Sequence, residues 1–449
     1  MELIWSSSAN LQKREALHGD IRVQTVIIGA GMTGILTAYL LKKNGLDAVI
    51  IEAKQMGSGQ TERTTAKITS QHGMIYDKLL RKTGRKRAEI YARANEEAIR
   101  LYEKIIREEQ IECHFKRLPA YLYTREENRV RELKREAVAA RALGIHAAFV
   151  EDSEIYELPF EINGAVRFEN QAQFHPLEFI KHLAKDLKIY ENTKAISVKG
   201  HEVYTDRGTI TAENIVFATH YPFINVPGFY FLREHQERSY VLALAQMQEL
   251  SGMYYSIDKK GLSLRSAGDI LLLGGGGHRT GKITCHEGIR YLKEMAGHYY
   301  PDSEECAVWS AQDCMPHDGI PFIGKYSIFR PYWYVATGFH KWGMTSAMVS
   351  AVIISNKICG IPDLYEKAFT PQRLLLRAGI KNLLIDIGES VLGLGKGLFS
   401  KKENKCPHMG CRLEWNPQEQ TWECPCHGSR FSEEGELRDN PAQVGLRKN

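Results

Sequence analysis

The sequence predicts an α/β fold with a parallel sheet, a second domain of antiparallel strands and a small C-terminal β domain. Three features predict it: a strand–helix–strand unit over residues 23–52, short turn-linked β-rich runs over residues 228–275, and a cluster of cysteines and histidines over residues 406–427. The chain has 449 residues, which is too long for one ordinary hydrophobic core. Two or three domains are therefore expected.

The composition is that of an ordinary globular protein, with 43% apolar and 25% charged residues. The formal net charge is +5, from 59 basic and 54 acidic residues, which gives no reason to expect nucleic-acid binding. Residues 1–5 lack the basic start and apolar run of a signal peptide. No apolar stretch reaches the roughly 18–20 residues that a membrane span needs. We therefore expect a soluble, cytoplasmic protein without a transmembrane segment.

The strand–helix–strand unit contains the glycine-rich turn that is typical of dinucleotide binding. A buried strand over residues 23–28 runs into Gly29-Ala30-Gly31-Met32-Thr33-Gly34, a helix follows, and the second strand ends at Glu52. The first glycine would make the tight turn, the second would let backbone N–H groups approach a pyrophosphate, and the third would let helix and strand pack closely. The helix N-terminus favours phosphate charge, and Glu52 would accept hydrogen bonds from the adenosine ribose.

Two short loops near the C-terminus have the pattern of a metal-cluster site. They read Cys406-Pro407-His408-Met409-Gly410-Cys411 and Cys424-Pro425-Cys426-His427-Gly428-Ser429. Two cysteines on one iron and two histidines on the other are the ligands of a Rieske-type [2Fe–2S] cluster. The predicted ligands are Cys406, His408, Cys424 and His427. A tetrahedral zinc site is the alternative, but the Cys-x-His and Cys-x-x-His spacing and the extra cysteine in each loop argue against it.

The two loops resemble the Rieske proteins of respiratory cytochrome complexes. That resemblance implies a disulfide between Cys411 and Cys426, and a Ser429 hydroxyl that donates to a bridging sulfide. Those proteins carry a tyrosine that donates to a cysteine sulfur where this chain has Phe431. The missing hydrogen bond predicts a lower reduction potential, because donors to sulfur stabilise the reduced cluster. The strands that usually precede the first ligand loop are not evident in this sequence.

Several segments before the C-terminal loops indicate which dinucleotide is bound. They are Gly57-Ser58-Gly59-Gln60-Thr61-Glu62-Arg63-Thr64-Thr65-Ala66-Lys67, Thr193-Lys194-Ala195-Ile196-Ser197-Val198, Ile215-Val216-Phe217-Ala218-Thr219-His220 and Gly338-Phe339-His340-Lys341-Trp342-Gly343-Met344-Thr345. These segments resemble the D-amino-acid oxidase/glycine oxidase superfamily of flavoproteins over about residues 20–360, which implies FAD. In that superfamily the helix N-terminus of the last segment stabilises charge near N1 of the reduced flavin.

The glycine-rich turn and this resemblance together imply the FAD-binding residues. They are Gly29, Gly31, Met32, Thr33, Gly34, Glu52, Ala53, Thr64, Thr65, Lys67, Val198, Thr219, Gly338, Trp342, Gly343, Met344 and Thr345. With the C-terminal loops included, the chain resembles a bacterial group of FAD-dependent oxidoreductases with a fused Rieske module. The fold class implied is a Rossmann-like FAD domain of the glutathione-reductase type, an antiparallel β-rich substrate domain and a small β Rieske domain.

The expected domains follow from these segments. The FAD domain takes residues 1–75, 145–225 and 300–365, the substrate domain 76–144 and 226–299, a docking helix and linker 366–400, and the Rieske domain 401–449. Glycines at 388, 393, 395 and 397 weaken a continuous helix and predict a flexible linker there. A helix on a membrane surface is the alternative, since Lys381, Lys396, Lys401 and Lys402 lie nearby.

The superfamily oxidises a C–N bond by hydride transfer to flavin, so no catalytic triad is expected. Side chains on the β-rich segments and near the flavin are the weak candidates for substrate contact: Arg238, Tyr255, Arg265, His278, His317 and His340. An arginine there could bind a substrate carboxylate with two parallel hydrogen bonds. For any single arginine, a structural or solvated role is the more common case.

The predicted function is an FAD-dependent oxidoreductase that transfers electrons between a small substrate, an amine or amino acid, and an external carrier through FAD and a Rieske cluster. One alternative is a plain oxygen-reducing oxidase in which the cluster is a redox sensor. Another is a non-enzymatic electron-transfer protein. The residues are compatible with either direction of electron flow, and they do not identify the substrate, the redox partner or the oligomeric state.

Overall fold

The computed structural model describes residues 3–283, 287–373, 376–398, 400 and 405–446. The helices are α1 (Ile4–Ala9), α2 (Met32–Lys43), α3 (Tyr76–Thr83), α4 (Arg85–Glu108), α5 (Val130–Ala142), α6 (Pro176–Leu183), α7 (Gly288–Tyr299), α8 (Gly343–Ile358), α9 (Glu366–Phe369) and α10 (Leu376–Leu398). The strands are β1 (Ile21–Ile28), β2 (Ala48–Ile51), β3 (Lys67–Ile68), β4 (Lys116–Thr124), β5 (Ala147–Val150), β6 (Gly164–Gln173), β7 (Lys188–Tyr190), β8 (Ala195–Lys199), β9 (Glu202–Thr205), β10 (Thr209–Phe217), β11 (Glu234–Ala245), β12 (Met253–Ser256), β13 (Ser263–Ala267), β14 (Ile270–Arg279), β15 (Glu304–Pro316), β16 (Phe322–Ser327), β17 (Arg330–Thr337), β18 (Glu414–Asn416), β19 (Thr421–Glu423), β20 (Arg430–Ser432) and β21 (Leu437–Asp439).

The first sheet has eight strands and forms the predicted nucleotide-binding framework. Its order is β16-β17-β10-β1-β2-β7, with β9 and β8 continuing from β10. The strands from β17 to β7 along this order run parallel. At the β1–α2 turn, Gly29 has a φ of 110° and a Cβ at Gly34 would collide with the Gly29 carbonyl oxygen. Only glycine therefore permits this approach of helix to strand.

The second sheet has nine strands in the order β15-β11-β14-β13-β12-β4-β6-β3, with β5 paired to β6. Its pairs are antiparallel apart from β12 with β4. It recruits β5, β6 and β15, which lie in the ranges 145–225 and 300–365 that the expected boundaries assigned to the FAD domain. Strand pairing depends on which strand edges lie side by side in the folded chain. The order of the segments along the sequence does not show which strands pair, so these domain boundaries could not be predicted.

The C-terminal domain is a small antiparallel sheet in the order β18-β19-β20-β21. All four strands follow the first Cys/His loop, in agreement with the expected lack of preceding strands among the described residues. Its buried core consists of four cysteines and three apolar residues: Cys406, Cys411, Leu413, Cys424, Cys426, Phe431 and Ala442. A core this small needs a metal group or support from its surroundings for stability.

Residues 376–398 correct the prediction of a flexible linker, because α10 continues to Leu398. A Cβ at Gly393 would collide with Sγ of Cys426, and one at Gly397 would collide with the Gly410 carbonyl oxygen. These glycines therefore allow close packing of the helix on the Cys/His loops, and that packing outweighs their low helix propensity. Within the described residues, no helix is both long enough and apolar enough to span a lipid bilayer.

Candidate redox site

A cavity of about 1170 Å³ opens beside the β1–α2 turn and extends between the two large sheets to the C-terminal domain. The predicted FAD-binding residues that line it are Gly29, Gly31, Met32, Thr33, Glu52, Ala53, Thr64, Thr65, Lys67, Thr219, Trp342, Gly343 and Met344. Gly34, Val198, Gly338 and Thr345 are not among its lining residues. The volume exceeds that of a typical small-ligand pocket and suits a dinucleotide with room for a small substrate.

The nucleotide end of the cavity fits a pyrophosphate. The N-cap of α2 is Gly31, which has no side chain to cap the helix, and the Met32 N–H donates to Oγ1 of Thr61 at 2.9 Å. The N–H groups that follow Met32 in the first turn and the positive end of the helix dipole remain available for an anion. Glu52 accepts hydrogen bonds from the Ala30 N–H at 3.0 Å and the Lys54 N–H at 2.9 Å. These bonds hold its carboxylate at the end of β2, although burial raises its pKa.

The opposite wall of the cavity contains a half-buried ammonium group, that of Lys67, without a carboxylate partner among the described residues. Nζ of Lys67 donates to the Tyr254 carbonyl oxygen at 2.9 Å and to Oγ of Ser263 at 2.6 Å. Burial, with a contribution from nearby Arg265, lowers the pKa of Lys67 to about 7. Arg265 itself donates only to neutral oxygens, on Thr65, Gln173 and Phe174. Two neighbouring cations, the half-buried Lys67 and the buried Arg265, with neutral hydrogen-bond partners make this wall suitable for an anion.

An aromatic group lies beside this wall, at the start of α8. The Trp342 ring stacks on His72 with centroids 5.1 Å apart, and Tyr255 meets Trp342 edge-on at 5.2 Å. His72 is buried, its Nε2 lies 3.0 Å from Oγ1 of Thr345, and burial lowers its pKa to about 3. The His72 ring is therefore neutral. The sequence reasoning did not select His72, because a single histidine carries no signal of its position until the fold places it against Trp342.

Of the six weak catalytic candidates, Tyr255 lines the cavity, and Arg238, Arg265, His278, His317 and His340 are not among the lining residues. Arg238 is completely buried and its Nε donates to Oε1 of Glu419 at 3.0 Å. This pairing corrects the idea that Arg238 binds a substrate carboxylate, since the C-terminal domain already supplies its carboxylate.

The three histidine candidates lie in separate surroundings. Nε2 of His278 lies 2.9 Å from the Tyr240 hydroxyl. Nε2 of His317 lies 2.6 Å from Oδ2 of Asp386 on α10. His340 is half-buried, and desolvation lowers its pKa to about 4. None of the three donates to or accepts from another of them, so they do not form a catalytic group.

The two Cys/His loops present the donor atoms that a Rieske cluster needs. The rings of His408 and His427 lie 5.0 Å apart and nearly perpendicular, at 88°. Nδ1 of each ring is buried without a hydrogen-bond partner. Unpaired buried nitrogens are costly, and here they fit ligand atoms directed at iron. Burial lowers the pKa of His408 to about 4 and of His427 to about 3, so both rings are neutral, as metal binding requires.

The cysteines complete the donor set but do not form the expected disulfide. The side chains of Cys406 and Cys424 are buried and within hydrogen-bond reach of each other, with the Ser429 hydroxyl beside Cys406. Cys411 and Cys426 are free thiols, so the structure does not support the Cys411–Cys426 disulfide that the resemblance implied. Their sulfurs and that of Cys424 lie within 4.8 Å of one another. Each thiol thus packs beside a predicted ligand and is not bonded to its neighbour.

The second sheet holds the second Cys/His loop directly. Nε2 of Gln236 on β11 donates to the His427 carbonyl oxygen at 2.7 Å, and Nε2 of Gln312 on β15 donates to the Gly428 carbonyl oxygen at 2.8 Å. Arg279, the last residue of β14, donates to the carbonyl oxygens of Pro425 and Cys426 at 3.1 and 3.2 Å. The same three strands line the cavity through residues 239–241, 274–277, 311 and 313. One rigid sheet therefore borders both sites.

Comparison with protein families agrees with this geometry. Residues 24–357 match the model described as FAD dependent oxidoreductase, and residues 391–448 match that of the Rieske [2Fe-2S] domain. These matches confirm FAD and a [2Fe–2S] cluster as the cofactors.

Individual relatives cover either the whole chain or one part of it. The Bacillus subtilis (strain 168) protein YhfW, whose name describes a Rieske 2Fe-2S iron-sulfur protein, is 36% identical over 505 residues, which cover 100% of this chain and 97% of that protein. The cytochrome b6-f complex iron-sulfur subunit 2 of Trichormus variabilis is 46% identical over 44 residues, 10% of this chain and 25% of that one.

Solved structures resemble about four-fifths of the chain. L-proline dehydrogenase from P. horikoshii has a TM-score of 0.65 at 19% identity, covering 80% of this chain and 98% of that chain. Glycine oxidase from Geobacillus kaustophilus has a TM-score of 0.64 at 19% identity, covering 79% of this chain and 99% of that chain. At this level of identity the likeness establishes the fold.

Proposed function

Because the chain belongs to the family of FAD-dependent oxidoreductases and ends in a Rieske [2Fe–2S] domain, we propose that it oxidises a small amino acid or related carboxylate-bearing amine and passes the electrons to an external carrier. When bound, FAD can accept a hydride from a C–N bond and release its electrons singly to a one-electron cluster. The observation that carries the proposal is the shared sheet: β11, β14 and β15 line the cavity and also bind the second Cys/His loop.

The substrate class is inferred from charge. Lys67 and Arg265 lie near each other at the cavity wall and form no ion pair within the described part of the chain. Of the two, Lys67 lines the cavity. Bringing a carboxylate to its ammonium would compensate the cost of that buried charge and fix the orientation of the substrate. L-proline dehydrogenase and glycine oxidase, whose names give amino acids as substrates, share the fold and support this class.

The aromatic side chains limit the size and polarity of the substrate. Tyr255 and Trp342 meet edge-on at 5.2 Å and both line the cavity. A substrate held by Lys67 would lie against these rings, which exclude water from the reacting bond. Neutral His72 supports the Trp342 ring from behind, so the wall stays apolar at that point.

The route for electrons is inferred from residues between the two sites. Thr219 and His220 line the cavity, and Nε2 of His220 lies 3.3 Å from Sγ of Cys314 on β15. The next residue, Tyr221, is buried, which raises its pKa well above the usual value, and Cys424 is among the nearby groups that add to this shift. Residues 219–221 thus extend from the cavity lining to the neighbourhood of Cys424, a predicted cluster ligand.

An anaerobic substrate screen tests the proposal. The purified holoprotein is mixed with a panel of amino acids, each paired with the amine that lacks its carboxylate, and flavin bleaching is followed by absorbance. We expect one or more amino acids to bleach the flavin, their decarboxylated partners to fail, and an EPR signal of reduced Rieske cluster to follow. A panel that leaves the flavin oxidised would contradict the proposed activity.

The same experiment with oxygen separates the proposed transfer from a plain oxidase. In stopped-flow absorbance, reduction of the cluster should keep pace with turnover when electrons leave through it. Cluster reduction that lags behind turnover with oxygen would instead indicate an oxidase in which the cluster is a sensor.

A further inference from the structure

Helix α10 has an inverted distribution of side chains. Its two acidic residues, Asp386 and Glu389, face the protein, with side-chain exposures of 13% and 23%. Among its described side chains, the outward face is apolar apart from Lys396. In a surface helix of a globular protein the charged residues face solvent and the apolar residues face the core. The inversion therefore indicates that both faces of α10 are covered in the working protein.

The inward face of α10 makes polar and close contacts with the rest of the chain. Asp386 lies 3.0 Å from Nδ1 of His235 and 2.6 Å from Nε2 of His317. Nδ2 of Asn382 donates to the His317 carbonyl oxygen at 2.9 Å. Gly393 packs on Cys426 with no room for a Cβ. These polar and close contacts fix the rotation of the helix about its axis and thereby determine which side chains face outward.

The outward face is a continuous aliphatic stripe, which we call the α10 stripe. Its members are Ile380, Leu384, Ile385, Ile387, Val391, Leu392 and Leu398, with exposures of 50, 63, 49, 44, 62, 62 and 78%. Residues 380, 384, 387, 391 and 398 follow one another at helical spacing on one side. The stripe is about 27 Å long at 1.5 Å per residue. Such a contiguous exposed apolar surface marks a binding site.

The described charge on the outward face of α10 is basic. Lys396 is the charged residue on its outward face among the described side chains. Helix α3 packs against α10, and the exposed residues Lys82 and Lys86 at and just after the end of α3 form no ion pair within the described residues. Lys401 and Lys402 follow in the sequence but lie outside the described residues. An aliphatic stripe with basic neighbours is complementary to an anionic lipid surface.

The chemistry of the α10 stripe favours lipid over a protein partner. Protein interfaces are enriched in tyrosine, tryptophan and arginine at their centres and carry hydrogen-bonding groups. The α10 stripe contains leucine, isoleucine and valine alone, with exposed Gly388 between them. It offers a partner protein no hydrogen bond, whereas the boundary between headgroups and acyl chains needs none.

The α10 stripe continues towards the ligand histidines. Helix α10 contacts the 3-10 turn Tyr230–Leu232, where Leu232 is 48% exposed. Phe231 in this turn meets the rings of His408 and His427 edge-on, at centroid distances of 5.9 and 5.6 Å. Met409, beside His408, is 42% exposed. The apolar surface thus reaches the edge of the cluster loops.

We propose that the α10 stripe is a membrane-docking surface that lies in the headgroup region of an anionic lipid bilayer. The helix lies parallel to the membrane plane and does not cross it. Its aliphatic side chains enter the acyl boundary, Lys396 meets the lipid headgroups, and the cluster loops are held close to the membrane. This inference goes beyond the proposed function and does not depend on the identity of the substrate.

Vesicle binding of the full-length holoprotein tests the proposal. Purified protein is centrifuged with vesicles of phosphatidylcholine mixed with phosphatidylglycerol, and separately with vesicles of phosphatidylcholine alone. The variant is Leu384→Glu combined with Val391→Glu, which places two charges in the middle of the α10 stripe. The matched control is Ile196→Glu on β8, a residue with a comparable exposure of 54%. FAD content and cluster absorbance of each variant establish that it has folded.

We expect the wild type and Ile196→Glu to sediment with the anionic vesicles and to bind neutral vesicles more weakly. The partition coefficient of the double variant onto anionic vesicles should be lower than that of the wild type by about tenfold or more, because two charges must enter the apolar boundary. Failure of the wild type to bind anionic vesicles would overturn the proposal. A folded double variant that binds as well as the wild type would also overturn it, as would a wild-type dimer that binds no vesicles and becomes monomeric in the double variant.

Discussion

The guanidinium of Arg238 on β11 forms an ion pair with the carboxylate of Glu419 in the C-terminal domain, with Nε 3.0 Å from Oε1. The two side chains are 0% and 9% exposed. Arg430 also contacts the Glu419 carboxylate, at 2.6 Å. Although burial opposes it, the charges of Arg238 and Arg430 hold the pKa of Glu419 well below its usual range. This ion pair connects the C-terminal domain to the second sheet, which lines the cavity.

Arg238→Met should weaken the attachment of the C-terminal domain. Removing one partner of a buried ion pair typically costs about 3–5 kcal/mol, because a buried charge loses its compensation. Since Arg430 still pairs with Glu419, we expect the lower end of this range. Denaturant unfolding followed through cluster absorbance measures the change in the free energy of unfolding.

A surface pair provides the control for that measurement. Arg85 and Glu89 form an i,i+4 pair on α4 with side-chain exposures of 66% and 46%. Arg85→Met should change the free energy of unfolding by about 0.5 kcal/mol or less. Equal effects of Arg238→Met and Arg85→Met would show that the domain attachment does not depend on the buried pair.

Lys67 should make substrate binding depend on pH near neutrality. Burial, followed by the influence of Arg265, lowers the pKa of Lys67 to about 7. The ammonium form, which binds a carboxylate, dominates below this pKa and is lost as the pH rises through it. For a carboxylate substrate, KM should therefore rise towards alkaline pH, by up to about tenfold per pH unit. Steady-state kinetics at a series of pH values measures the effect.

Substitutions at Lys67 separate this charge effect from a structural one. Lys67→Arg keeps a permanent cation and should remove the pH dependence, while Lys67→Met should raise KM at every pH. FAD content is measured for each variant, since Lys67 is also predicted to contact FAD. A KM for Lys67→Met equal to that of the wild type, with FAD retained, would rule out carboxylate binding by this residue.

Gly393→Ala should disturb cluster incorporation. The added Cβ would collide with Sγ of Cys426, and the backbone of the second Cys/His loop would have to shift. We expect a lower content of iron and acid-labile sulfide per chain. The matched control is Gly395→Ala on the same helix, where a Cβ meets nothing within 4 Å. That variant should keep its iron and gain about 0.5–1 kcal/mol of stability from helix propensity.

Phe431→Tyr should raise the reduction potential of the cluster. Phe431 is fully buried in the core of the C-terminal domain, where the resembling Rieske proteins have a tyrosine that donates to a cysteine sulfur. If the new hydrogen bond favours the reduced form by about 1 kcal/mol, the potential rises by about 40 mV for one electron. A redox titration monitored by EPR measures it. Ser429→Ala, which removes a hydroxyl beside Cys406, should shift the potential in the opposite direction.

The local motifs could be predicted from the sequence because their geometry depends on residues that are close along the chain. The β1–α2 turn requires glycine at positions 29 and 34 for steric reasons that act within a few residues. The Cys/His loops bring their donors together through short spacing and turn-forming neighbours. The family and both cofactors follow from these motifs, and the comparisons confirmed them.

Contacts between distant segments could not be read from the chain. Arg238 was a candidate for substrate binding until the fold brought Glu419 to it across 181 positions. The glycines of α10 predicted a linker, and they prove to be close-contact positions only because Cys426 and Gly410 pack on them. Among the residues that the structure describes, Lys67 lacks a carboxylate partner, which can be seen only once Ser263 and Tyr254 are in place around it.

The difference between the features that the sequence predicted and those that only the structure revealed has a physical cause. Turn geometry, helix capping and metal-ligand spacing are short-range, so residue order alone specifies them. Burial, charge compensation and the allowed approach of two backbones depend on which surfaces meet, and that is set by the packing of the whole chain. The amino-acid sequence therefore identified the two cofactor sites, while the packed structure determined how they are joined, which charges are left without a partner, and which face of α10 stays apolar and exposed.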